Sequence, residues 1–143
     1  IPSIDRLYRQ MSVVNDGVES PYVMRAIGSF EMIFKLMEHN FADGRPYIMG
    51  DQFTLAETTL MPFIKVLEMV RFLGFWMEPY PLTRAWWDRM VERPSLQKLD
   101  EFPYSAISED SPHAKSGRET EPEFRVKLTE YRERFGDAFN PVD

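Results

Sequence analysis

The sequence predicts an all-α fold, a bundle of about five helices with one helix near residues 54–73 at its centre. Three observations lead there. Apolar residues recur at helical spacing in several separate segments. No stretch alternates apolar and polar residues long enough to read as a pair of strands. The two Asp-Gly dipeptides, Asp16-Gly17 and Asp43-Gly44, fall between helical patterns and join no strand-like runs.

The first segment is Ile4 to about Val14. Ile4, Leu7, Tyr8 and Met11 share one helical face, Pro2 suits a first turn, Ser3 is a plausible cap, and Asn15-Asp16-Gly17 ends it. The second runs from about Pro21 to Phe41. Its apolar stripe is Val23, Ile27, Phe30, Phe34, Met37 and Phe41, widened by Ala26 and Ile33, while Glu31, Lys35 and Glu38 lie off it. Residues 42–46, with Gly44 and Pro46, stop it.

The third segment, Thr54 to about Leu73, is apolar nearly all round, which places it inside a bundle. Pro62 removes one backbone donor and should bend it. The fourth, Pro81 to about Arg93, shows Leu82, Ala85, Trp86, Arg89 and Met90 as its buried side and stops at Pro94, after which a short helix from Ser95 to Asp100 is expected. Residues 101–119 read as a polar surface loop. A last helix opens at Thr120-Glu121-Pro122-Glu123 with a narrow stripe of Phe124, Leu128, Tyr131 and Phe135, which suits docking but not an independent core. The domain division expected is therefore 1–100 for the bundle and 101–143 for the loop and docking helix.

Composition bounds the function. A chain of 143 residues should bury about two-thirds of its unfolded surface, enough for one core. A net charge of −6 argues against nucleic acid as a partner. The absence of cysteine excludes disulfides, thiolate metal sites and cysteine nucleophiles, and leaves the cytoplasm as the default location. No apolar run is long enough to span a membrane and no signal peptide opens the chain. It begins at Ile1, so a processed or truncated protein is expected.

The sharpest local signal is Tyr47-Ile48-Met49-Gly50-Asp51-Gln52-Phe53-Thr54-Leu55-Ala56-Glu57. Thr54 and Glu57 have the spacing of a capping box. The hydroxyl can accept from the amide of residue 57 while the carboxylate reaches back to the amide of residue 54. Phe53 would be the outer half of a hydrophobic staple, with Thr58 a poor partner.

This phrase resembles the one that opens the buried helix in the carboxy-terminal domain of the cytosolic glutathione S-transferases. It matches at Tyr47, Gly50, Asp51, Phe53, Thr54, Leu55 and Ala56. It departs at Glu57, where the family has Asp, and at Thr58, where an aliphatic residue is common. Pro62, Tyr80-Pro81, Trp87 and Arg93-Pro94-Ser95 follow in the family's order. The resemblance covers about residues 20–98; Gly50 falls early for the family, so the first helix is expected to be truncated.

The resemblance implies a helical domain that walls the pocket for a hydrophobic electrophile and helps form a homodimer. A thioredoxin-like N-terminal domain, of which this sequence shows no βαβ pattern, would bind glutathione as co-substrate and activate its thiol. No residue here receives a catalytic, cofactor-binding or metal-binding role, and no activity is expected from this chain alone. Tyr8 and Met11 occupy the part of the first helix that meets the family's electrophile pocket, although core packing also explains them. A non-catalytic module used for protein assembly is the alternative, and a helical protein with a chance capping phrase is a third. Phe72, Phe75, Trp76 and Met77 read as a core edge, with a pocket or partner surface as the rival reading. Trp86-Trp87 should place one ring inward and one half-exposed. His39 suits the end of its helix, His113 a solvated loop, and neither has metal-ligand spacing.

Overall fold

A computed structural model describes residues 17–98 and 112–136, with residues 112–114 described by backbone alone. Within these residues there are six helices: α1 Pro21–Phe41, α2 Leu55–Met69, α3 Leu73–Trp76, α4 Pro81–Val91, α5 Pro94–Gln97 and α6 Pro112–Phe135. No strand occurs among them; the single β-bridge joins Tyr47 to Gly50 within one turn. The fold is all-α. The expected first helix, with Tyr8 and Met11, lies outside the described residues, as do residues 99–111 of the expected loop.

Helix α1 begins where Ser20 offers its hydroxyl to the Tyr22 amide and Pro21 needs no donor. Its stripe Val23, Ala26, Ile27, Phe30, Phe34, Met37 and Phe41 is buried, and it packs on both α4 and α6. Helix α2 buries one face, Glu57, Met61, Ile64 and Leu67. Burial is not all-round as the sequence suggests: Leu60, Phe63 and Val66 are half-buried, and Leu55 is 81% exposed. Apolar composition alone does not fix which flanks of a helix find neighbours. The helix continues through Pro62, whose ring faces solvent.

The rod ends at Met69, short of the expected Leu73. The Phe72 amide donates to the Leu67 carbonyl at 2.9 Å and the Arg71 amide to the Glu68 carbonyl at 3.0 Å, the paired bonds of a Schellman cap. Its left-handed position holds Arg71, at φ 67°, where glycine is usual. No glycine marked the stop, so the sequence hid it.

Helix α4 buries Thr83, Trp86, Trp87 and Met90, while Leu82, Ala85 and Arg89 are exposed. Both tryptophans are therefore inside, which corrects the expected split. The reason lies in the neighbours. Trp86 stacks on Phe41 with centroids 6.2 Å apart, and the Trp87 indole donates to Glu68 at 3.3 Å.

The last helix starts at Pro112, not Thr120, so 112–119 is helix where the sequence suggests loop. Pro112 stands at the first helical position and needs no donor there. Gly117 faces the Val70 carbonyl, and an added Cβ would stand 1.9 Å from that oxygen. Gly117 lies inside the helix as a point of close approach to Val70. His113 belongs to this helix and not to a loop.

Candidate functional site

The entrance of α2 is built by side chains closing on backbone. Thr54 sits in extended conformation at φ −131° and its hydroxyl oxygen accepts from the Ala56 amide at 3.2 Å. The Glu57 carboxylate accepts from the Thr54 amide at 2.8 Å and from the Thr54 hydroxyl at 2.9 Å. Its other oxygen accepts from the Ile48 amide at 2.5 Å. Glu57 is fully buried, so three donors hold a carboxylate that water does not reach.

That third bond ties the 47–50 turn to the helix. The turn is closed by Tyr47 and Gly50, whose amides each donate to the other's carbonyl at 3.0 and 3.1 Å, with Gly50 at φ 128°. Asn40 of α1 donates to the Ile48 carbonyl at 2.6 Å, and Arg89 of α4 to the Pro46 carbonyl at 2.8 Å. Thr58, the expected staple partner of Phe53, is exposed. The Phe53 ring meets Tyr47 edge-on at 6.1 Å, and the Arg93 guanidinium lies 3.8 Å above it. The guanidinium face gives the Phe53 ring a cation–π partner. Nearby, Arg45 grips Asp43 and holds its carboxyl well below the usual range, at about 2.

Two carboxylates on α1 organise the rest. Glu38 accepts from the Leu82 and Thr83 amides at 3.0 and 2.8 Å and from the Thr83 hydroxyl at 2.8 Å. It caps α4 from another helix, since the local cap residue Tyr80 supplies no side-chain bond. Glu31 is buried. It accepts from the Trp76 indole at 2.6 Å and the Tyr80 hydroxyl at 2.8 Å, and from Arg132 of α6 at 2.8 and 3.1 Å. Arg132 also donates to the Trp76 carbonyl at 3.0 Å. Burial first, and Glu31 second, push the Tyr80 phenol well above its ordinary value of 10.

The sequence pattern placed both carboxylates off the buried stripe. For Glu31 that is wrong, because its partner arrives from 101 residues away. No local spacing announces Arg132 as the partner of Glu31, or Arg93 as the partner of Phe53.

A cleft of about 270 Å³ lies between α2, α3 and α4, bounded by Glu68, Arg71, Arg84, Trp87 and Asp88. Its charges are engaged internally: Arg84 pairs with Asp88 at 3.1 Å and Glu68 with Lys65 at 2.6 Å. Among the described residues no three His, Asp or Glu side chains gather to hold a metal ion, and no helix is long and apolar enough to cross a membrane. Tyr8 and Met11, the residues the sequence nominates for a substrate pocket, lie outside the described residues. The described part of the bundle thus brings together capping and bracing groups.

These features define an all-α domain whose α2 is sealed by a Thr–Glu clasp fastened to the preceding Gly-Asp turn. The family model for the glutathione S-transferase C-terminal domain matches residues 8–94, and the chain belongs to that family. No curated protein and no solved structure matches it. Helix α6 lies beyond the matched residues.

Proposed function

We propose that this chain serves as the helical half of a glutathione S-transferase-like enzyme. In this reading it walls the pocket for a hydrophobic electrophile and shares in homodimer contacts in the cytoplasm. A thioredoxin-like N-terminal domain, the usual companion of this family, binds glutathione. The observation that carries the reading is the family match over residues 8–94, which includes the clasp at Thr54 and Glu57.

The chemistry would run through the co-substrate. Glutathione's thiol is mostly protonated near neutral pH, and a hydrogen bond donated to its sulfur stabilises the more nucleophilic thiolate. The thiolate then forms a bond to an electrophilic carbon as the leaving group departs. The donor belongs to the companion domain; this chain supplies pocket wall, with Tyr8 and Met11 as the residues assigned to it.

The test uses full-length protein carrying this domain, passed over immobilised glutathione and assayed with an activated aryl halide. Retention and turnover are expected, with Tyr8→Ala and Met11→Ala raising KM for the halide and leaving that for glutathione unchanged. No retention and no turnover would favour the second reading, a non-catalytic module for protein assembly.

A further inference from the structure

Helix α6 runs along the segment that joins α2 to α4 and touches it at three levels. At one end Gly117 abuts the Val70 carbonyl, so closely that a Cβ would stand 1.9 Å from that oxygen. In the middle Phe124 stacks flat on Phe72 at 4.4 Å and meets Trp76 and Phe75 at 5.2 and 6.0 Å. Arg125 adds its guanidinium over the Phe75 ring at 4.2 Å. At the other end Arg132 donates to the Trp76 carbonyl at 3.0 Å, the last of α3, which has no partner within its own helix.

The other side of the same segment is a cleft wall. Arg71, Leu73 and Gly74 line the cleft of about 270 Å³, together with Arg84, Trp87 and Asp88 of α4. The segment cannot hold itself, because α3 has four residues, far below the length at which a helix is stable alone. Trp76 is also anchored on α1, with centroids 5.2 Å from Phe30 and 5.9 Å from Phe34. Phe72 and Phe75 meet each other and Phe124. We propose that α6 is a strap that sets this cleft. Seated, it holds residues 70–77 and fixes the α3 wall. Displaced, it frees the Phe72–Phe75 end first, and the wall of Arg71, Leu73 and Gly74 moves with it. The strap lies beyond the residues of the family match, and the inference stands apart from the proposed glutathione chemistry.

The chain has no cysteine, so two nitroxide labels can be placed across the cleft through Gly74→Cys and Asp88→Cys. A Cβ at Gly74 meets nothing within 4 Å, and Asp88 stands 60% exposed in a surface ion pair of small value. Three substitutions are compared in the full labelled chain. Gly117→Ala drives a methyl against the Val70 carbonyl, Phe124→Leu removes the stacked ring, and Val126→Ala changes an exposed position of the same helix. Pulsed electron resonance should show the distance distribution widening about twofold for the first two and unchanged for the third. An unchanged distribution in either of the first two overturns the proposal. Equal widening with Val126→Ala also overturns it, since the wall would then answer to general loosening. If a variant fails to fold, hydrogen exchange on the wild-type chain decides. Amides of residues 72–77 should open together with those of α6, about tenfold faster than those of α1 and α4. Protection at 72–77 that outlasts the opening of α6 overturns the proposal, as does exchange of all of them in one global step.

Discussion

Replacing Arg132 with alanine leaves the Glu31 carboxylate buried, with two neutral donors and no cation. Breaking a buried ion pair from one side costs about 3–5 kcal/mol. Two features of this site lower that figure. Trp76 and Tyr80 keep donating to Glu31, and the Arg132 side chain is 28% exposed, so part of its charge was hydrated throughout. The bond from Arg132 to the Trp76 carbonyl is also lost. A destabilisation of about 2–3 kcal/mol follows, a fall of roughly 6–9 °C in Tm at about 3 °C per kcal/mol for a chain of this size. Glu31→Gln removes the charge that needs neutralising while leaving an oxygen to accept. In that background Arg132→Ala should cost under about 1 kcal/mol. Urea unfolding followed by circular dichroism and tryptophan fluorescence measures the cycle. Equal losses in both backgrounds would refute the reasoning and assign the seating of α6 to Phe124 and Leu128 alone.

Two further outcomes are expected. Glu38→Ala should cost about 1–2 kcal/mol in chemical denaturation, because it strips the acceptors from the first amides of α4, while Glu38→Gln should cost less. Above pH 10 the unfolded state should lose the Tyr80 proton before the folded state does, since the folded phenol is raised above that value. The stability tied to the raised phenol is present below pH 10 and lost as pH climbs toward the folded value. Thermal scans should therefore decline more steeply above pH 10 for wild type than for Tyr80→Phe.

Local patterns revealed what local physics controls. The 21 residues of α1 are readable from their spacing because one stripe faces one core. The clasp at Thr54 and Glu57 is readable because its partners lie three residues apart. What stayed hidden depends on distant chain. Glu31 looks like a surface residue until Arg132, Trp76 and Tyr80 are brought to it. Glu38 looks solvated until the first turn of α4 is brought to it. The sequence pattern puts Leu82, Ala85 and Arg89 on the buried face of α4, because it cannot reveal that Glu38 holds Thr83 inward. Phe53 has only a poor staple partner in sequence, Thr58, and Arg93 supplies a contact no staple rule contains. The stop at Arg71 was invisible because the left-handed residue is not glycine.

A pair of threonine substitutions isolates the contribution of the sealed entrance of α2. Thr54 accepts from Ala56 and donates to the buried Glu57, whereas Thr58 is exposed and bonds only to the Thr54 carbonyl at 3.3 Å. Thermal unfolding of both in the same chain should show Thr54→Ala losing about 1–2 kcal/mol and Thr58→Ala under about 0.5 kcal/mol. Equal losses would show that the entrance owes nothing to its clasp.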